Sequence, residues 1–235
     1  RNALSPELII ELKSAFIAWE ADSEIRAVIL RANGKVFCAG ADLTYLQQLQ
    51  SYTFDENLAD SQNLRELFQL IYQYSKPVIA QVEGHAIAGG AGLAAVCDFV
   101  FAVPEAKFGF TEVKIGFIPA LVSVFLITKI GEGKARELLL SGNLYNSLSV
   151  KAIGLITDVI EPDQIAAYTL DFTHKLISQN AGEAMQKTKQ MLANFWGMSI
   201  NESLDEAARQ NALARESEDC KKGINHFLTK QTFNW

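Results

Sequence analysis

Hydrophobic residues fall at helical spacing from the start of the chain: Leu8, Ile9, Leu12, Ala15, Phe16 and Trp19 share one helix face. Ser5-Pro6-Glu7 before them supplies an N-cap, a proline suited to the first helical turn and an early acid, so a helix is predicted to about Ala21-Asp22-Ser23. Arg26 to Arg31 is a short β-rich run closed by Asn33-Gly34, which predicts a strand and then a loop. Phe37 to Asp42 reads as a loop of small residues and Leu43 to Leu49 as a helix. Residues 51–57 are polar without a clear period and read as a mobile stretch, followed by a second amphipathic helix from Leu58 to Tyr74. Pro77 to Val82 predicts a buried strand, Gly84 to Gly92 a loop crowded with Gly and Ala, Leu93 to Cys97 a helical turn, and Phe99 to Val103 another strand.

Further on, Lys107 to Phe110 reads as a short strand, and Ala120 to Ile130 and Gly133 to Leu140 as helices. Asn146-Ser147 caps another helix, ended by Gly154 before a strand from Leu155 to Ile160. From Pro162 to about Leu228 the pattern is almost wholly helical. The rhythm of strand, glycine turn and short helix predicts an α/β core over 1–178, with a helical segment over 179–235. No repeat of fixed period and no low-complexity segment interrupts this plan.

Composition narrows the class. A chain of 235 residues, 49% hydrophobic and 20% charged, suits one globular domain, or one domain with an appended helical segment. Its formal charge of -6 without a basic block argues against nucleic acid as a partner, while leaving room for a local cationic site for a phosphorylated ligand. Cys38, Cys97 and Cys220 form no paired spacing, which points to reduced thiols and a cytoplasmic setting. The longest apolar run, Ile118 to Ile127, contains Pro119 and Ser123 and is too short to span a bilayer, so no membrane association is expected. The chain opens at Arg1 rather than Met, and the expectation is that a preceding piece is missing, with any targeting signal it carries. His85, His174 and His226 are scattered and no cysteines pair, so no metal site is expected.

Two stretches of small residues carry the candidate chemistry. Phe37-Cys38-Ala39-Gly40-Ala41-Asp42-Leu43 and Gly84-His85-Ala86-Ile87-Ala88-Gly89-Gly90-Ala91-Gly92-Leu93 each follow a strand and open a helix. Small residues let a ligand approach the backbone, and amides at helix starts have no partner within the helix. Two such loops converging on one point could hold a carbonyl oxygen as it gains negative charge; either alone could equally be a close-packed turn. Gly90-Ala91-Gly92-Leu93-Ala94-Ala95 also fits a dinucleotide-binding fingerprint, but loop residues separate it from the strand ending at Val82, and that reading is set aside.

These two loops, together with Lys76-Pro77-Val78-Ile79-Ala80, Cys97-Asp98, Ala106-Lys107-Phe108-Gly109, Glu112 and Gly116, resemble the enoyl-CoA hydratase/isomerase (crotonase) superfamily. The likeness runs from Arg1-Asn2-Ala3-Leu4 to Phe227-Leu228-Thr229-Lys230. It implies a spiral of ββα units with a C-terminal helical trimerisation segment, assembling as a homotrimer or a dimer of trimers. It implies an acyl-CoA thioester substrate whose carbonyl is held by the backbone N–H groups of Ala41 and Gly89. Ala39, Asp42 and Leu43 match positions that line the coenzyme A pocket, and Lys230 matches a lysine that reaches CoA phosphate across a subunit boundary.

The carboxylates bear on the reaction. Hydratases of the family use two glutamates; Glu112 stands at one position and Gly92 at the other. Hydration needs a nucleophile and a proton source, whereas shifting a double bond needs one base that takes and returns a proton. A single carboxylate therefore leans toward an isomerase. Gly92 combined with Thr111 to Ala120 resembles the bacterial methylglutaconyl-CoA hydratases of leucine degradation, and this closer likeness is followed: the expected activity is enoyl-CoA hydration, with the isomerase as the alternative. A non-catalytic acyl-CoA-binding relative is the alternative of another class. His85 and Asp98 are read as structural.

Overall fold

The computed structural model describes residues 2–41, 43–230 and 234–235, with the backbone alone at Leu43. Asp42 and the side chain of Leu43 thus lie outside the described residues.

The chain builds two sheets at once. Strands β1 (Val28–Arg31) and β2 (Val36–Cys38) follow helix α1 (Pro6–Ala21) and enter different sheets. After α2 (Leu43–Leu49) and α3 (Phe54–Tyr72), β3 (Val78–Val82) pairs with β1, and β4 (His85–Ile87) pairs with β2. Helix α4 (Gly89–Ala95) leads to β5 (Phe99–Ala102) beside β3 and β6 (Lys107–Gly109) beside β4. A 3-10 turn at Glu112–Ile115 and α5 (Ala120–Ser141) then lead to β7 (Tyr145–Asn146), antiparallel to β6. Helix α6 (Ser147–Ala152) precedes β8 (Asp158–Val159), which closes the first sheet beside β5. Because each successive unit donates one strand to each sheet, the units stack into a spiral. The sheet orders are β1-β3-β5-β8 and β2-β4-β6-β7, parallel except at β7. Strand β3 is buried along its whole length, as a central parallel strand covered on both faces should be.

Local chemistry accounts for most boundaries. Ser5 accepts a hydrogen bond from the Leu8 amide, and α1 stops at Asp22. The polar stretch at 51–57 is a correction: it holds the start of α3 at Phe54, built on a capping box in which Thr53 and Glu56 satisfy each other's amides. The supposed loop at Phe37 to Asp42 begins inside β2, and the one at Gly84 to Gly92 contains β4 and the start of α4. The strand expected over Leu155 to Ile160 shortens to β8, and β7 has no counterpart in the sequence reading. Gly131, at φ 76° and ψ 157°, breaks α5 into the two expected pieces.

Helices α7 (Ile165–Gln179), α8 (Gly182–Asn194), α9 (Ile200–Glu216) and α10 (Glu218–Thr229) form the C-terminal helical region. The chain end returns to the core: Arg26 donates to the Trp235 carbonyl at 2.9 Å, and the Trp235 amide donates to Ser178. Among the described residues no helix is long and apolar enough to cross a membrane.

Candidate active site

Three adjacent parallel strands end at the same sheet edge. In the order β2-β4-β6, Cys38 pairs with Ala86 and Ile87 with Gly109. The segments that follow, Ala39 to Ala41, Ala88 to Gly92 and Phe110 to Glu112, therefore leave side by side. Strands spaced by about 4.8 Å put the outer two of these exits on the order of 10 Å apart.

Contacts between the first two exits are close. A Cβ on Gly40 would lie 2.9 Å from the Ala88 Cβ, 3.1 Å from the Ile87 carbonyl oxygen and 3.7 Å from the Gly89 nitrogen. Gly40 also has φ 81°, a conformation only glycine adopts at low cost, so two constraints require glycine there. The Leu4 amide donates to the Gly40 carbonyl at 2.8 Å, and Leu4 and Ala41 form a parallel bridge. The Leu4 amide is thus spent on the Gly40 carbonyl, not on Ala41 itself.

Gly89 occupies the first position of α4, where a helix amide has no partner within the helix. Ala88 before it has φ 52° and ψ -125°, rare for a residue with a side chain. Its amide is pinned to the Gly109 carbonyl at 2.7 Å, tying this exit to β6. The Leu4 side chain lies 3.0 Å from where a Gly89 Cβ would sit, so Leu4 touches both loops.

Glu112 opens the 3-10 turn three residues beyond β6 and is half-buried. Its Oε2 is buried and accepts no hydrogen bond from a described protein group. Burial raises the carboxyl pKa above its ordinary 4.5, with a backbone hydrogen bond at Glu112 acting in the opposite direction. A partly desolvated carboxyl with a free oxygen is a group that can take up and return a proton. Gly116, at φ 78°, ends the turn.

At Gly92 the wall is already filled. A Cβ there would meet Val122 Cγ1 at 2.3 Å and Phe68 ring atoms at 3.1 and 3.2 Å. Both neighbours are buried, Val122 on α5 and Phe68 on α3. The sequence shows the missing carboxylate but not this wall, since neither residue adjoins position 92 along the chain. Leu4, too, was visible only as one end of the family likeness.

The other candidates divide. Ala39 is half-buried and Ala41 exposed, both on the first loop. Leu43 starts α2 immediately beyond it. Lys230 is the exposed C-cap of α10, in the helical region rather than on the strand-end loops. His85 Nδ1 accepts from the Lys107 amide, and Asp98 accepts from the Val78 amide and from Lys189, each at 2.7 Å for Asp98. Among the described residues no group of three or more His, Cys, Asp or Glu is placed to hold a metal ion.

A cavity of about 490 Å3 lies apart from these loops, lined by Tyr72, Phe99, Leu176, Met185 and the Lys189–Asp98 pair. Its two charged groups neutralise each other at 2.7 Å. Its size exceeds its chemistry, and the strand-end loops are the better site.

The sequence profile of the enoyl-CoA hydratase/isomerase family matches residues 1–235. The chain belongs to this family and is an enzyme of this kind, with mixed α/β architecture to match. It is 42% identical over 231 residues to a Thermus thermophilus protein provisionally named enoyl-CoA hydratase, covering 98% of this chain and 91% of that one. It is 32% identical to the crotonyl-CoA hydratase of Syntrophomonas wolfei, covering 100% and 89%. It is also 30% identical to the 2,3-dehydroadipyl-CoA hydratase of Escherichia coli, covering 99% and 89%. Among solved structures, an enoyl-CoA hydratase from Shewanella pealeana superposes with a TM-score of 0.92 at 29% identity, covering 99% and 87%.

Proposed function

We propose that the chain hydrates the 2,3 double bond of an enoyl-CoA thioester, with Glu112 as its single carboxylate. The observation that carries this reading is the buried, unpartnered Oε2 of Glu112, beyond the strand that neighbours the Gly89 exit. In the proposed reaction the amides of Ala41 and Gly89 donate to the thioester oxygen. Glu112 takes a proton from water as its oxygen bonds to the β-carbon, and the double-bond electrons move to the thioester oxygen as an enolate. The enolate collapses, the α-carbon takes the proton back from Glu112, and a 3-hydroxyacyl-CoA leaves. Ala39, Asp42 and Leu43 are assigned to the coenzyme A pocket, and Lys230 to its phosphates across a subunit boundary. Coenzyme A enters only as part of the substrate.

For the acyl group, the reading is a branched, acidic chain such as 3-methylglutaconyl-CoA. Support comes from Gly92 with Thr111 to Ala120, and from the Escherichia coli relative, whose named substrate also carries a distal carboxylate. Assembly as a homotrimer or dimer of trimers is proposed from the apolar side chains left exposed on and beside α8 to α10, including Leu192, Trp196, Leu204, Phe227 and Leu228. A cytoplasmic setting is proposed from the three free cysteines.

A second reading, an enoyl-CoA isomerase, is favoured by the filled wall at Gly92, which leaves no room for a carboxylate at that position. Incubation with crotonyl-, 3-methylglutaconyl- and 3-enoyl-CoA in deuterated water, read by mass spectrometry, separates the two. Hydration yields a 3-hydroxy product, whereas a shifted double bond with no added water on every substrate refutes the first reading. Tight CoA binding without turnover of any substrate supports the non-catalytic alternative.

A further inference from the structure

The helix that begins at Gly89 is short and is held at both ends. At its start, the Ala88 amide is fixed to Gly109 in a strained conformation. At its far end, the Lys129 ammonium, reaching from α5, donates to the Ala95 and Cys97 carbonyls at 2.8 Å each. Ala95 is the last residue of α4, and carbonyls at a helix end lack partners within the helix. Between the two ends every residue from Gly90 to Ala95 is buried, so α4 behaves as one packed rod.

Lys129 is an expensive way to cap a helix. The stem is partly accessible, but its ammonium is enclosed, and burial presses its pKa below the ordinary lysine value. The neighbouring Asp98 carboxylate is already paired with Lys189 at 2.7 Å. Lys129 is thus a buried cation held chiefly by two carbonyls, at the opposite end of the helix from Gly89. A cation there also complements the negative end of the helix dipole.

We propose that Lys129 is a positioning residue for the thioester-polarising amide: by clamping the last carbonyl of α4, at Ala95, to that of Cys97 just beyond the helix, it fixes the helix axis and so aims the Gly89 N–H. This rests on the reading of Gly89 as a donor to the thioester oxygen. A rod of seven residues is about 10 Å long, so a slight tilt at Lys129 appears as a displacement of the donor. Displacement short of loss costs less than deletion of a donor, which is typically about 10²–10³ in rate.

The test compares wild type, Lys129→Met and Lys129→Gln in the full-length assembled protein. Steady-state kinetics on crotonyl-CoA are paired with the absorption of a bound aryl-acryloyl-CoA, whose band moves to longer wavelength as its carbonyl is polarised. The expected result for Lys129→Met is a kcat loss of about 10- to 100-fold with KM within about threefold, and a smaller red shift of the bound probe. Lys129→Gln, which keeps a donor, is expected to fall between the two, and serves alone if Lys129→Met does not fold. A folded variant with wild-type kcat and a wild-type red shift overturns the positioning role while leaving Gly89's assignment intact. A wild-type protein that binds the probe without any red shift overturns the assignment of Gly89, and the proposal with it.

Discussion

The wall at position 92 allows a quantitative test. Gly92→Ala adds a Cβ 2.3 Å from Val122 Cγ1 and 3.1 Å from the Phe68 ring, in a buried environment. Replacing a helical glycine with alanine would alone stabilise by about 1 kcal/mol. Overpacking a well-filled interior costs about 1–3 kcal/mol, so the net effect should be destabilising by roughly 0–2 kcal/mol. Val122→Ala removes Cγ1 and Cγ2, costing about 1.6 kcal/mol at about 0.8 kcal/mol per buried carbon, before any cavity effect. In the double variant the new Cβ occupies space vacated by Cγ1, so the two changes should offset each other by about 1–2 kcal/mol. Denaturant unfolding of wild type, both single variants and the double variant, at one protein concentration, measures that coupling. Strict additivity, or a Gly92→Ala variant more stable than wild type by the full helix-propensity gain, would show that position 92 is open and could have hosted a carboxylate.

Glu112→Gln should reduce turnover by at least about 10²-fold while leaving CoA binding intact, as general acid–base catalysis contributes 10²–10⁴-fold; near-normal rates on every enoyl-CoA refute the assignment. Because burial raises the Glu112 carboxyl above 4.5, the acid limb of kcat/KM should lie above that value, with activity increasing as the carboxylate forms. A limb at or below 4.5 contradicts this. The same shift fixes the sign for stability: between the ordinary and raised pKa the folded state binds more protons than the unfolded one, so the Glu112 contribution falls as pH rises through that window. Glu112→Gln should therefore melt higher than wild type above the window, and the gap should close below it. Gly40→Ala, strained at φ 81° and pressed against Ala88, should lower kcat by displacing both loops, checked by steady-state kinetics; unchanged kcat would separate Gly40 from the site.

Elements with explicit start signals were legible in the sequence. Ser5-Pro6 and a regular apolar face gave α1 to within a residue, and Gly131 and Gly133 marked the break in α5. The first turn of α3 was obscured because Asp55, Glu56 and Asn57 carry no apolar face, although the Thr53–Glu56 capping box was there to be read. Strand β4 escaped because it lies inside a stretch rich in Gly and Ala, and β7 because it runs straight into the Asn146 cap of α6; the pairing of both depends on distant partners. For the site, the small-residue loops and Glu112 were recognisable by type. The juxtaposition of their exits follows from the register of β2, β4 and β6, which no local pattern encodes. Val122, Phe68 and Lys129 act across the packing of separate helices, and only the folded chain shows what they touch.

The central claim is that two main-chain amides and one carboxylate meet on a single thioester. A crystal structure of the protein with acetoacetyl-CoA, which carries the thioester but no hydratable double bond, tests it directly. The account predicts the thioester oxygen about 2.7–3.1 Å from the nitrogens of both Ala41 and Gly89, with the Glu112 carboxylate facing the α- and β-carbons. A thioester oxygen bound by neither amide, or a Glu112 side chain turned away from those carbons, would contradict it.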